Sequence, residues 1–382
     1  MAKSEEKREP LLHISARAPM PWYFSVAVRL SCIIVSLLFC TLLTWLITGV
    51  DPIAFSVTVF QASFPAKAAM FGIKFWPMLR DLSILLLLAL AVTPAFRMRF
   101  WNIGAEGQTL MGCLGAAACM KLLAGVIPNE WIIVCEVIAA LLAGALWGLL
   151  PAIFKAHFGT NETLFTLMMN YIATQLVAFF CILWENPKGS GTIGIINQNG
   201  ALRGMGWLPV IGGNKYLLTI IVAGAFTLLM YFYLYRSKQG FELSVVGESE
   251  RTANYLGIKV RRVTIRTMIL SGALCGLTGL LLTAGENHTL TTTLAGGRGF
   301  TAVMVSWLAK FNPFIMILAS FLLVFMEKGA GDIATKFSLN KSFSEILTGI
   351  ILFFIIASDF FIRYKVRFRH GAKIPEGGVS RV

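Results

Sequence analysis

Three groups of polar side chains interrupt an otherwise apolar chain, and any chemistry must begin with them. Asn102, Glu106 and Gln108 sit within Trp101-Asn102-Ile103-Gly104-Ala105-Glu106-Gly107-Gln108, at the head of a hydrophobic stretch. Asn161, Glu162 and, about two turns deeper, Asn170 open another such stretch. Amides and carboxylates are costly in hydrocarbon, so these groups must face the protein interior, water or a partner. They offer hydrogen bonds and isolated charges, which suits holding a helix or contacting a passing solute. The third group is a basic, polar island between Arg236 and Arg266, containing Gly247, Glu248, Ser249, Arg251, Ala253, Tyr255, Gly257 and Ile258. It is too short to build a core of its own. It suits a short amphipathic helix held at a membrane surface by the apolar stretches on either side, where an outside machine could push.

Two readings stand open at Glu106: bracing a packed helix junction, or lining a solute path. Thr160 reads as an N-cap, with Glu162 and Thr163 near the free amides of the first turn. Asn170 suits either a gate or an interhelical hydrogen bond. Glu286, His288 and Gly296-Gly297-Arg298-Gly299 are expected to face outward, with Arg298 anchoring at the interface. A lone histidine beside one glutamate is weak evidence for a metal site, and no metal ligands are assigned. No catalytic residue is assigned either: there is no G-x-x-x-x-G-K-[ST] phosphate loop, no H-E-x-x-H helix and no G-x-S-x-G elbow.

The elements that must position these groups follow from composition. Of 382 residues, 57% are hydrophobic and only 14% charged, too few charges to cover a water-soluble domain. A bilayer core takes roughly 20 apolar residues per helix. On that measure the chain is all-α and polytopic, with about ten candidate spans. They lie at 26–49, 77–96, 102–124, 131–154, 161–184, 215–235, 266–284, 298–312, 313–328 and 343–362. The eighth is too short to cross alone and suits a broken or half-inserted helix. Gly144 and Gly148 in one span, and Gly272 and Gly276 in another, have the small-xxx-small spacing of close helix contacts.

The net charge of +14 marks the cytoplasmic side of a membrane and does not call for nucleic acid. Lys3, Lys7, Arg8, Arg17 and Arg29 open the chain, and Arg363, Lys365, Arg367 and Arg369 close it. Alternate connections carry Arg97, Arg99, Lys155 and the island's cations, whereas the opposite ones carry fewer. Both termini are therefore expected in the cytoplasm. The domain organisation reads as a basic segment at 1–25, a membrane domain over 26–362 and a basic tail at 363–382. The first span reads as a retained anchor. Seven cysteines without zinc spacing read as small packing residues.

Taken together, several motifs resemble a known family. They are Asn102-Ile-Gly-Ala-Glu-Gly-Gln, Asn161-Glu with Thr166-Leu-Met-Met-Asn170-Tyr, the island, Ser271-Gly-Ala-Leu with Gly276-Leu-Thr-Gly279, and Gly297-Arg-Gly-Phe-Thr-Ala-Val with Asn312-Pro313. In that order they resemble the membrane permeases of bacterial ABC importers for ribose-type sugars and nucleosides, from about Val50 to Phe361. The first motif looks most like the nucleoside branch. The resemblance implies that the island, near 247–258, is a coupling helix seated on a cytoplasmic ABC ATPase. Relatives tend to carry Gly-x-Asn-Pro-x-Ala-Ala-x-Tyr-x-Gly-Ile there. This chain keeps Gly247, Ala253, Tyr255, Gly257 and Ile258, and departs with Ser249, Glu250 and Thr252. Ser249 can still cap a helix.

The resemblance further implies a small-molecule solute, a second related permease subunit and an extracytoplasmic substrate-binding protein or lipoprotein. It places the chain among the lipids of a bacterial cytoplasmic membrane. The chain would bind no cofactor itself, ATP being used by the partner subunit. The alternatives are a simple-sugar importer of the same fold and an ion-coupled carrier working alone.

Overall fold

The computed structural model describes residues 12–17, 21–65 and 68–368. Lys3, Lys7, Arg8, Lys67 and Arg369, with the rest of 1–11 and 369–382, lie outside the described residues. The helices are α1 (Trp22–Thr48), α2 (Pro52–Ser63), α3 (Ala68–Arg97), α4 (Ala105–Leu123), α5 (Asn129–Phe158), α6 (Glu162–Leu183) and α7 (Leu217–Arg236). They continue as α8 (Lys238–Glu248), α9 (Glu250–Tyr255), α10 (Val260–Leu282), α11 (Arg298–Leu308), α12 (Pro313–Lys336) and α13 (Lys341–Arg363). Two strands, β1 (Leu12–Ala16) and β2 (Tyr364–Phe368), complete the elements used below.

Among the described residues, α1, α3, α5, α6, α7, α10, α12 and α13 are long and apolar enough to cross a membrane. The polytopic helical architecture is thus as expected, one of the ten expected spans needs correction, and the short eighth is as foreseen. The stretch at 102–124 forms the 19-residue α4, whose Glu106, Gln108 and Lys121 keep it out of that set. Its surface is covered by neighbouring helices, with Gln108, Thr109, Cys113 and Met120 all buried. The stretch at 298–312 yields only the 11 residues of α11. Eleven residues rise about 16 Å, half a hydrocarbon thickness, so a half-span is the right description.

The chain divides into two compact units, one running to Thr58 and resuming at Ala330, the other Val59–Gly329. In the first, α1 packs on α13, with Cys40 fully buried and the rings of Phe39 and Phe354 5.8 Å apart. Asp359 pairs with Arg363 at 2.7 Å and with Arg29 at 3.9 Å. β1 and β2 pair in an antiparallel ladder from Leu12↔Phe368 to Ala16↔Tyr364. The sequence reading took both ends as plain basic segments. The pairing is long-range, so neither strand announces its partner locally.

In the second unit, the stretch Ile84–Val92 of α3 is apolar on every side and buried throughout, as suits the central helix of a bundle. Around it α4, α5 and α10 approach one another through glycine. A Cβ on Gly144 would strike the carbonyl of Gly272, one on Gly276 the carbonyl of Ala140, and one on Gly148 would come 2.7 Å from the carbonyl of Met268. The two small-xxx-small pairs foreseen in the sequence therefore face each other. In lipid, where apolar burial gives little drive, such backbone contact is what holds helices together. Polar hydroxyls inside the spans are satisfied locally: Thr93, Thr109, Thr227 and Thr278 each donate to a carbonyl one turn back. All seven cysteines are free thiols.

Candidate functional site

The island forms two short helices, not one. Ser237 starts α8 by accepting from the amide of Gly240 at 3.0 Å. Ser249 breaks the pair and caps α9, its Oγ accepting from the amide of Thr252 at 3.3 Å. The end of α9 is a Schellman motif: the amide of Ile258 donates to the carbonyl of Ala253 and that of Gly257 to Asn254. Gly257 supplies the left-handed turn, at φ 74°. So a six-residue helix that propensity alone could not sustain is fixed at both ends.

Three spans hold this device. Gly240 lies against the carbonyls of Tyr233 and Leu234 at the end of α7, and Gly247 against the carbonyl of Arg97 at the end of α3. Glu242 of α8 pairs with Arg266 of α10 at 3.0 Å. Arg97 ties α3 to α7 by donating to the carbonyl of Leu234 at 3.1 Å and lying over the ring of Tyr235. Of the eight residues singled out, Gly247 and Ala253 are buried, Ser249 and Ile258 half-buried, and Gly257 forms the turn. Glu248, Arg251 and Tyr255 point outward, and Tyr255 is 90% exposed beside Leu256 at 55%. A nearly naked tyrosine on a rigidly capped turn has the shape of a knob.

The inner polar group is a closed network. Asn102 and Gln108, both buried, exchange hydrogen bonds at 3.2 and 3.4 Å, and Asn102 also donates to Ser271 of α10 at 3.2 Å. Asn170 of α6 accepts from the amide of Gly107 at 2.8 Å and donates to the carbonyl of Ile103 at 2.9 Å. The amide of Ile103 donates to Thr166 at 3.2 Å. The backbone strap between α3 and α4 is thereby secured to two spans. Asn161 and Glu162 stand apart from this network: Glu162 pairs with Lys155 at 2.7 Å, bridging α5 to α6. The cap of α6 corrects the sequence reading. Asn161, not Thr160, accepts from the first turn, at the amide of Leu164, because the helix starts at Glu162 and so puts Asn161 at the cap position.

Glu106 does something else. Its two carboxyl oxygens accept from the amides of Gly297 and Gly299, each at 2.8 Å, at the start of the half-span α11. Free amides at a helix start and a carboxylate satisfy each other. The next residue is fixed by a second acid. Asp81, 2% exposed in α3, binds Arg298 at 2.6 Å, Lys328 of α12 at 2.5 Å and the neighbouring Arg80 at 3.2 Å. Arg80 in turn pairs with Glu286. Arg298 therefore serves this buried cluster and does not anchor at an interface. The sequence reading missed Arg80 and Asp81. Their adjacency inside an apolar run was the available signal, since ionisable groups within a span need nearby partners.

At the far end of the bundle from the island, the segment between α6 and α7 is folded onto the chain. Asn197 donates to the carbonyls of Met120 and Met205, and the amide of Ile196 to the carbonyl of His288. Trp207 stacks on His288, centroids 3.9 Å apart. Burial, with Lys215 nearby, holds the His288 imidazole below its ordinary pKa. Among the described residues no group of histidine, cysteine and carboxylate side chains could hold a metal.

Among the described residues, eight helices long and apolar enough to cross a membrane, with a capped turn presented at one face, make this a polytopic helical membrane protein. The chain belongs to the family described as branched-chain amino acid transport system / permease component, which it matches over residues 77–356. It is 31% identical to the guanosine ABC transporter permease protein NupP of Bacillus subtilis, over 79% of this chain and 84% of that protein. It is 28% identical to the nucleoside ABC transporter permease protein NupB of Lactococcus lactis, over 72% of this chain and 77% of that protein. Identity is also 28% to the glucose ABC transporter permease protein TsgB13 of Haloferax volcanii, over 74% and 76% of the two chains.

Proposed function

We propose that this chain is a permease subunit of an ABC importer that moves nucleosides, or related ribose-containing solutes, into the cell. A separate ATPase docks on α8–α9, a second related permease completes the route, and an extracytoplasmic binding protein delivers the solute. Both termini and the island lie on the cytoplasmic side. The observation that carries this reading is Tyr255, fully presented on a capped turn whose supports are the ends of α3, α7 and α10. A push on that turn reaches three spans with no flexible linker between, the arrangement that rigid-body switching requires. Asn102, Glu106, Gln108 and Asn170 act by holding the strap and the start of α11 at the edge of the route. Their hydrogen bonds to fixed partners favour this over direct contact with solute.

The nucleoside substrate rests on the relatives named for guanosine and nucleosides. The relative named for glucose favours a sugar as the second reading. The test is uptake of radiolabelled nucleoside and of ribose in cells holding the complete transporter, with and without this chain. Loss of sugar uptake with nucleoside uptake intact would overturn the substrate. An ion-coupled carrier is disfavoured because Asp81 and Glu106 are each bound by several fixed donors. The chain reconstituted alone should carry no gradient-driven flux.

A further inference from the structure

Beside α9 lies a cavity of about 650 Å³, walled by the strap after α3, the end of α5 and the first turn of α10. Its lining carries Arg99, Lys155, Lys259, Arg261 and Arg262 against one acid, Glu250. Lys155 is engaged by Glu162. Among the described residues, Arg99, Lys259, Arg261 and Arg262 make no ion pair.

Two features set this cluster apart from cations scattered on a membrane face. Lys259, Arg261 and Arg262 crowd the start of α10, where the helix dipole is already positive, no acid stands in the first turn and no side chain caps the amides. Cations there repel the helix end, and an anion in the cavity would reverse the sign. Arg99 sits at φ 61°, a left-handed position closing α3 that glycine fills without strain. Its side chain lines the cavity with Lys259, Arg261 and Arg262.

We propose that this cavity binds a phosphate-bearing anion, through the guanidinium groups of Arg99, Arg261 and Arg262 and the free amides at the start of α10. Guanidinium matches phosphate oxygens in pairs, and a helix start adds amide donors. The phosphate can belong to the head group of an anionic lipid or to a soluble nucleotide. Because Glu250 and Asn254 of α9 line the same cavity, its occupant stiffens the knob from behind.

The test uses the purified full-length chain in phosphatidylcholine nanodiscs, titrated with pyrophosphate by calorimetry. A parallel arm uses nanodiscs containing phosphatidylglycerol and scores lipid retained on the protein by native mass spectrometry. Saturable pyrophosphate binding identifies a soluble phosphate ligand; retention of phosphatidylglycerol alone identifies a head group. Lys259→Gln, Arg261→Gln and Arg262→Gln together should weaken the responding arm by about tenfold or more, and lysine at 261 and 262 should restore part of it. Arg99→Gly separates binding from folding: it should raise the melting temperature and lower affinity at once. No saturable binding in either arm, or binding unaltered by the triple substitution, overturns the proposal.

Discussion

Gly247 of α8 lies directly on the carbonyl oxygen of Arg97, the last residue of α3, so closely that a Cβ would collide with it. The obstacle is backbone, which cannot turn aside as a side chain can. Gly247→Ala should therefore push α8 off the end of α3, destabilising the fold by about 1–3 kcal/mol as an overpacked contact does. The decisive readout is coupling: substrate-stimulated ATP hydrolysis by the assembled transporter should fall more than its resting hydrolysis. Full coupling in a well-folded Gly247→Ala protein would show that this contact transmits nothing.

Tyr255 gives the complementary case. With 90% of its surface exposed, it packs on little within the chain. Tyr255→Ala should leave the melting temperature within about 0.5 kcal/mol of the parent in stability terms. It should nonetheless abolish uptake and weaken retention of the ATPase through purification, as loss of an aromatic anchor at an interface does. Undiminished uptake would remove the knob from the mechanism.

The island also shows what local sequence can convey. Ser249 announced its role because capping is a matter of a few neighbouring residues, and the structure places it as the cap of α9; the left-handed turn at Gly257 was not read from the sequence. The glycine pairs 144/148 and 272/276 were legible for the same reason, helical spacing being fixed. That the two pairs meet each other was not, since spacing on one helix says nothing of the helix it faces. Asp81 and Arg298 are 217 positions apart, and Glu106 and Gly299 193. Neither pairing is visible along the sequence, and only the fold makes them partners. The division of the island into α8 and α9 turned on one extended residue, Ser249, whose cap geometry competes with continuing the helix.

The buried cluster predicts a large penalty. Asp81 faces Arg80, Arg298 and Lys328, and removing its charge leaves three cations together with little water. Asp81→Asn should cost about 3–5 kcal/mol, the effect of stranding a buried ion. Adding Arg298→Gln to Asp81→Asn should cost less than the sum of the two single changes, because the second relieves what the first created. Strict additivity in thermal melts would mean that the two side chains do not interact in solution.

Glu136 predicts the opposite sign. It is fully buried in α5 and neither carboxyl oxygen has a hydrogen-bond partner among the described residues. A buried polar group without a partner costs about 1–3 kcal/mol. Methionine has a similar length without that need, so Glu136→Met should raise the melting temperature. Gly206 is in the left-handed region at φ 78°, and a Cβ there would strike this carboxyl and crowd Met120, so Gly206→Ala should be destabilised in the same assay. A Glu136→Met protein that is stabilised but inactive would assign the carboxyl to transport; one that is destabilised would refute the packing argument.

The turn after α6 predicts a dependence on pH. The carboxylate of Glu185 accepts from the amides of Gly189 at 2.7 Å and Gly191 at 3.0 Å, with Lys188 nearby, and these hold its pKa below the ordinary value for glutamate. A carboxylate lowered in this way contributes order that is fully present above its unfolded pKa, about 4.3, and disappears as the pH falls through the lower folded value. The turn should therefore loosen on acidification below that range while the apolar bundle stays intact. Hydrogen exchange at the amides of Gly189 and Gly191, corrected for intrinsic rates, should show protection at neutral pH and its loss in acid. Glu185→Gln keeps the shape and removes the charge, so its protection should be weaker at neutral pH and flat across the titration. Equal protection in parent and variant at every pH would mean that the two hydrogen bonds do not order this turn.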